Sequence, residues 1–372
     1  MQTLLTQTAR LTDVDPQLFA DALARITDWG ELSKQAEAQS LAPLLYHHLQ
    51  RQQSELKNQQ IEIPRSVKRE LSALYLRHKH AHQVHTETLS EILAAYRTVN
   101  IETIVLKGAA LAFLVYPTPN LRPKRDIDLL VKPEDAIPAQ KILRELGFKA
   151  PLPRGADLPD KHLDAATRKQ KGMVSSIEIH HNLFNVYHPV SMTFADFTSA
   201  PLPFAVDEQT TAYSLGYEDM LWHLCQHVAY HANVWEPIRL IWVADIIGFA
   251  ERFSAQIDWG KMANQYPLVL NMLSLFHFIT PLSDNLRRLA PVKIGQCPAG
   301  IGEEFRGWPR SSLDHQQTKG YQQILIDTFF PSEWWLRLHY GLNSAESLIW
   351  YRGVRHPIHI LARIRQFIQD NR

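Results

Sequence analysis

The segment Arg125-Asp126-Ile127-Asp128-Leu129-Leu130-Val131 constrains this chain more than any other. It reads as a strand, and side chains along a strand alternate between its two faces. Ile127 and Leu129 then point one way, Asp126 and Asp128 the other. Two carboxylates so close on one face repel each other. A divalent cation relieves that repulsion, and hard oxygen ligands at this spacing suit Mg²⁺ or Mn²⁺ better than zinc. An Asp-x-Asp on its own is more often a surface turn, so its surroundings decide.

Those surroundings favour a site. Lys107-Gly108 stands at an expected strand-to-helix junction upstream of the acids. A glycine at a helix N-terminus lets backbone N–H groups approach a phosphate, and the helix dipole helps. Lys107 adds a point charge there, and Arg122 and Arg125 are placed to clamp phosphate oxygens. Downstream, Ile177-Glu178-Ile179-His180 repeats the alternation, with Glu178 and His180 sharing a face. An acid on an adjoining strand would complete a three-carboxylate metal site: Asp126, Asp128 and Glu178.

Around this block the chain divides by texture. Residues 1–99 read as helical, with a long helix over 65–98. Residues 100–205 read as a small α/β domain: strand 101–106, helix 107–116, strand 126–131, a helix from Pro133 closed by Gly147, a polar connection over 151–172, and strand 173–183. Residues 206–372 return to helix, with amphipathic segments at 218–233, 239–253 and 259–279. The expected class is α+β, a mixed sheet between helical regions.

Composition narrows the function classes. Thirty-nine Lys+Arg against 38 Asp+Glu leave a formal charge of +1, which excludes a uniformly basic nucleic-acid coat. A long nucleic-acid acceptor is disfavoured, although a local basic groove stays open. Two cysteines, Cys225 and Cys297, offer no disulfide framework, so a reducing cytoplasm is the expectation. Apolar runs are interrupted by Lys107-Gly108 and by Asp245, so no membrane span is expected.

At Leu106-Lys107-Gly108-Ala109-Ala110, Tyr116-Pro117, Arg122, Asp126-Ile127-Asp128-Leu129-Leu130-Val131, Leu146-Gly147-Phe148 and Ile177-Glu178-Ile179-His180 the chain resembles a known family. It is the uncharacterised bacterial nucleotidyltransferase family of the polymerase-beta-type superfamily. Weaker likeness extends to Ala42-Pro43-Leu44-Leu45-Tyr46 and Trp242-Val243-Ala244-Asp245-Ile246. The resemblance implies that Asp126, Asp128 and Glu178 are catalytic and hold two Mg²⁺ (or Mn²⁺) ions against an NTP, ATP by expectation. Lys107, Gly108, Arg122, Arg125 and His180 would line the nucleotide. A nucleoside monophosphate would pass to a hydroxyl of a small molecule or protein, and pyrophosphate would leave. The superfamily pattern carries Gly-Ser where this chain has Lys107-Gly108, so the serine that contacts phosphate is missing.

That departure keeps a second reading in view: a nucleotidyltransferase fold acting as a binding or regulatory module, as in a toxin–antitoxin pair. A third reading, a metal phosphohydrolase, draws on the histidines. His223, His227 and His231 align at i, i+4 and i+8 on one helix face, with Asp245 as a further ligand. The bland reading of that face is a packed helix surface, and the same holds for His78, His82 and His85. Trp308, Trp334, Trp335, Trp350 and Tyr351 read first as core builders, and 352–366 as a basic amphipathic helix.

Overall fold

A computed structural model describes residues 2–11, 14–153, 158, 160–184, 192–309 and 313–370. Parts of the polar connection expected over 151–172 lie outside them. Contacts gather into two units, residues 1–223 with 244–257, and residues 224–243 with 258–372.

The first unit opens with helices α1 (Gln2–Thr8), α2 (Pro16–Ala24), α3 (Gly30–Ala38), α4 (Ala42–Arg51), α5 (Gln53–Asn58) and α6 (Arg65–Thr98). Asp15 caps α2 by accepting the Leu18 N–H at 3.0 Å, and Pro16 fills the first helical position, where no donor is needed. The long helix α6 covers the span the periodicity predicts. Its buried line of Ala81, Val84, Thr88, Ile92 and Tyr96 follows three- and four-residue steps.

The sheet follows. Strand β1 is Ile104–Val105, and helix α7 (Lys107–Leu114) starts immediately after it. Next come β2 (Asp126–Leu130), α8 (Ala136–Glu145), β3 (Ala166–Gln170), β4 (Met173–His180), β5 (Leu202–Ala205) and β6 (Thr211–Ser214). The six strands lie in the order β3-β4-β2-β1-β6-β5. β2 runs antiparallel to β1 and parallel to β4, so the sheet is mixed and the fold is α+β, as expected. Ile127, Leu129, Ile177 and Ile179 are fully buried, which places the core on the face opposite the acids. β3 was not expected: Ala-Thr-Arg-Lys-Gln carries little apolar signal, and its antiparallel pairing with β4 across Lys171-Gly172 makes it a strand.

Helices α9 (Tyr217–Asn233) and α10 (Leu240–Arg252) each belong partly to both units. The second unit continues with α11 (Trp259–Gln265), α12 (Pro267–Phe276), α13 (Asp284–Leu289), α14 (Leu313–Phe329, broken at Gly320), α15 (Glu333–Tyr340) and α16 (His356–Asp370). The one helix expected over 259–279 is two, because Pro267 lacks the N–H that α11 would need to continue. Trp235, Phe305, Trp335 and Leu336 form a core cluster there, which makes Trp335 a packing residue; Trp350, by contrast, is exposed. Among the described residues no helix is long and apolar enough to cross a membrane.

Candidate active site

Strand register builds the site. In the parallel pair of β2 and β4, Asp128 lies opposite Glu178 and Leu130 opposite His180. The two-residue period of β4 then puts Glu178 and His180 on the same face as Asp128. His180 Nε2 lies 3.2 Å from Asp128 Oδ1 and 3.4 Å from Glu178 Oε2. Asp128, Glu178 and His180 each offer a ligand atom within 4.8 Å of the others. Among the described residues no other group of three His, Cys, Asp or Glu side chains meets that standard.

Asp126 starts β2 on the same face, at the exposed end of the strand. Partial burial of its carboxyl, reinforced by the Asp128 charge, raises its pKa. Asp128 goes the other way. Burial opposes its charge, but the Lys107 ammonium and the His180 hydrogen bond hold its carboxyl well below the ordinary range. The His180 hydrogen bond likewise lowers Glu178, against the effect of burial. The pair is thus split into one readily ionised acid and one that resists ionisation.

Lys107 holds the other oxygen of Asp128, with Nζ 3.0 Å from Oδ2. Its backbone adopts φ +44°, the left-handed region that a glycine would enter without strain. The Leu106 N–H donates to the Asp128 carbonyl at 3.0 Å and fixes the chain just ahead of it. Burial disfavours the Lys107 ammonium, yet Asp128 more than compensates and its pKa rises.

Gly108 follows for a steric reason. A Cβ there would lie 3.1 Å from Cζ, Nη1 and Nη2 of Arg122 alike, so the guanidinium lies flat over the glycine. Arg122 is committed largely to Asp245 of α10: Nε donates to Oδ1 at 2.8 Å and Nη2 to Oδ2 at 2.7 Å, while Nη1 donates to the Pro123 carbonyl. The Tyr116 hydroxyl donates to Asp245 Oδ1 at 2.7 Å. A guanidinium has five N–H groups, so two remain for a ligand. Arg125 is exposed beside Asp126.

Two residues near the acids escaped sequence reading. The backbone of Lys161 accepts from His181 at 3.0 Å, and His162 bridges to His180, so residues 161–163 lie along β4. This brings His162 Nε2 to 3.9 Å from Glu178 Oε2. Lys161 comes within electrostatic range of Lys107, Glu178 and Asp128; burial lowers its pKa, and Lys107 lowers it further. The polar composition of 151–172 gave no sign of this pairing. Lys124 packs over the Phe113 ring at 5.2 Å, and burial brings its pKa down to about 7.

Among the described residues the histidine-rich helices form no metal cluster. On α6, His78 pairs with Glu37 at 3.0 Å, His80 reaches the Lys171 carbonyl at 3.0 Å, His82 packs on Phe113, and His85 is buried. On α9, His227 and His231 pack on Trp242, with ring centroids at 5.0 and 4.6 Å. His223 is different. It is 2% exposed, neither ring nitrogen has a hydrogen-bond partner among the described residues, and its electrostatic neighbours include Lys107, His180, Asp128 and Lys161. Asp245, the fourth member of the phosphohydrolase reading, is taken up by Arg122 and Tyr116.

Among curated proteins none matches the chain. Two solved structures are similar to it in part. The antibiotic-resistance factor ANT(2'')-Ia, solved in solution, is 16% identical over 47% of this chain and 86% of its own, with a TM-score of 0.31. An antigenic nucleotidyltransferase-like protein from Paracoccidioides brasiliensis is 17% identical over 57% of this chain and 94% of its own, with a TM-score of 0.37. Both scores are too low to bear on the site. The family described as uncharacterised nucleotidyltransferase matches residues 26–277, well over half of the chain and every residue of the acidic cluster. The chain belongs to that nucleotidyltransferase family.

Proposed function

We propose that this protein transfers a nucleoside monophosphate from an NTP, with ATP the first candidate, to the hydroxyl of a small-molecule or protein acceptor. The observation that supports this most directly is the convergence of Asp128, Glu178 and His180 inside the region that matches the family. The donor set fits a divalent ion: two carboxylates and an imidazole meet beside a third carboxylate, Asp126. Asp126, Asp128 and Glu178 would hold Mg²⁺ or Mn²⁺. Once bound, such ions neutralise charge on the phosphates and on the attacking and leaving oxygens.

The chain's own residues supply the rest. Lys107 places an ammonium at the start of α7, where backbone N–H groups also point outward. Arg122, braced by Asp245 over Gly108, keeps two N–H groups for a phosphate oxygen. Its guanidinium lies 3.1 Å from where a side chain at position 108 would begin, which supports a substituted phosphate contact rather than a lost one. Asp126, the less readily ionised acid, is suited to take up charge as an ion arrives. The free thiols, one buried and one exposed, are compatible with a reducing cytoplasm as the place of action.

The test is incubation of the full chain with each NTP, Mg²⁺ and candidate acceptors, read as pyrophosphate release. Asp128→Asn should lose about 100-fold or more, since even residues that only orient metal ligands cost 10–100-fold. Nucleotide binding without release in any mixture would favour the binding-module reading. No nucleotide binding by calorimetry would remove both.

A further inference from the structure

We propose that His180 is itself a metal ligand through Nε2, making Asp128, Glu178 and His180 a mixed nitrogen–oxygen site that prefers Mn²⁺ to Mg²⁺. This rests on the metal-dependent transfer reading and specifies one of its ions.

The distances suit coordination as well as a hydrogen bond. One nitrogen faces two carboxylate oxygens, at 3.2 and 3.4 Å, and a single N–H points well at only one of them. Around an octahedral ion with bonds of about 2.1–2.2 Å, neighbouring ligand atoms lie about 3.0–3.1 Å apart. Around a tetrahedral one with bonds near 2.0 Å, they lie about 3.3 Å apart. The two spacings from His180 Nε2 are therefore close to polyhedron edges. Lys107 does not compete for the same atom: it binds Asp128 Oδ2, and His180 faces Oδ1.

The surroundings point to a hydrated ion as well. His223 is 2% exposed, neither of its ring nitrogens has a hydrogen-bond partner among the described residues, and Asp128 and His180 are among its electrostatic neighbours. Buried polar atoms without partners call for an ion or water to satisfy them, and a cation that keeps part of its water shell supplies both. Ligand chemistry then sets the preference. Imidazole suits transition ions, whereas Mg²⁺ favours carboxylates and water.

The experiment is pulsed electron paramagnetic resonance of Mn²⁺ added alone to the full chain, in natural-abundance and ¹⁵N-histidine forms. A directly bound nitrogen should appear and shift with the isotope. In His180→Gln it should vanish, with Mn²⁺ affinity down about tenfold or more and Mg²⁺ affinity changed less than about threefold. The isotope comparison needs no variant, so a misfolded His180→Gln protein leaves it intact. Bound Mn²⁺ without nitrogen coupling overturns the proposal, as does coupling that survives in His180→Gln, which would make His162 or His223 the ligand. If that Mn²⁺ is nevertheless lost in Asp128→Asn, the transfer reading stands; no binding of either ion, with or without NTP, sinks that reading too.

Discussion

Replacing Asp245 with alanine should destabilise the first unit far more than loss of an ordinary ion pair would. Exposed pairs contribute about 0–1 kcal/mol, because water screens them. Asp245 is 2% exposed and Arg122 is 10% exposed at the side chain. In Asp245→Ala the guanidinium loses its acceptors at 2.8 and 2.7 Å, and the Tyr116 hydroxyl loses its own at 2.7 Å. Breaking a buried pair from one side costs about 3–5 kcal/mol, and an orphaned hydroxyl adds about 1–3 kcal/mol if the two losses are independent. They share one carboxylate, so about 3–6 kcal/mol is the expected range. For a unit of this size that is a fall of about 6–24 °C in melting temperature, at 2–4 °C per kcal/mol. Urea unfolding followed by circular dichroism reads the energy, and a thermal scan reads the temperature. The paired variant Arg122→Met with Asp245→Leu removes both charges and should recover much of the loss. A cost below about 1 kcal/mol for Asp245→Ala, or a paired variant worse than the two single losses added, would refute the account of Arg122 as a desolvated, braced cation.

Three further outcomes follow from the same geometry. Gly108→Ala should destabilise rather than gain the usual ~1 kcal/mol of a helical Gly→Ala change, because the new Cβ meets Arg122 at 3.1 Å and Asp245 keeps Arg122 from yielding; higher stability in urea would contradict this. Stability should also fall in mild acid. Burial brings His48 and His85 down to about 4, so the unfolded chain takes up protons from about pH 6.5 while the folded one does not. Their contribution is complete above pH 6.5 and shrinks by roughly 1.4 kcal/mol per pH unit for each as the pH drops towards 4. His48→Gln should flatten the dependence of the urea midpoint on pH by about one proton, and an unchanged slope would show that His48 is not the group responsible. Lastly, Lys107→Met should leave Asp128 harder to ionise and weaken triphosphate binding more than it weakens binding of Mg²⁺ alone, measured by calorimetry; equal losses would assign Lys107 to the metal site instead.

Periodicity made α6 legible, and alternation made the acid-bearing faces of β2 and β4 legible, because both elements bury one apolar side and so write their period into the residues. Register was not legible. Nothing in Ile177-Glu178-Ile179-His180 says that Glu178 will lie opposite Asp128; that follows from parallel pairing, which the chain states only through its folded contacts. β3 and the stretch at Lys161-His162 were hidden for a related reason. Their side chains are polar, and they are held by backbone hydrogen bonds to β4, which any sequence can make. For the α9 histidines the packed-face reading holds over the metal reading. A shared helix face on α9 suggested a common ligand, but His227 and His231 pack on Trp242, and His223 has the Asp128 cluster in electrostatic range.

The exchange of Gly-Ser for Lys107-Gly108 looks like a lost function in the sequence and like one linked substitution in the structure. Position 107 has φ +44°, which suits glycine, and a lysine there carries backbone strain of about 1–3 kcal/mol. The strain is offset by the ion pair at 3.0 Å to Asp128, which only a long cationic side chain can reach. Position 108 must then be small, because Arg122 lies at 3.1 Å where a serine side chain would begin. Arg122 in turn needs a buried counter-charge, and Asp245 supplies it from 123 residues further along the chain. Restoring only the serine, as Gly108→Ser, should therefore not restore a superfamily-like site: it should dislodge Arg122 and leave Asp245 and Tyr116 without a cation. Restoring all of it would require position 107 as glycine and an apolar pair at 122 and 245, and such a variant should bind a triphosphate through the serine and the α7 backbone. If Gly108→Ser alone binds a triphosphate as tightly as the parent chain and unfolds at the same urea concentration, the four positions are independent and the linkage argued here fails.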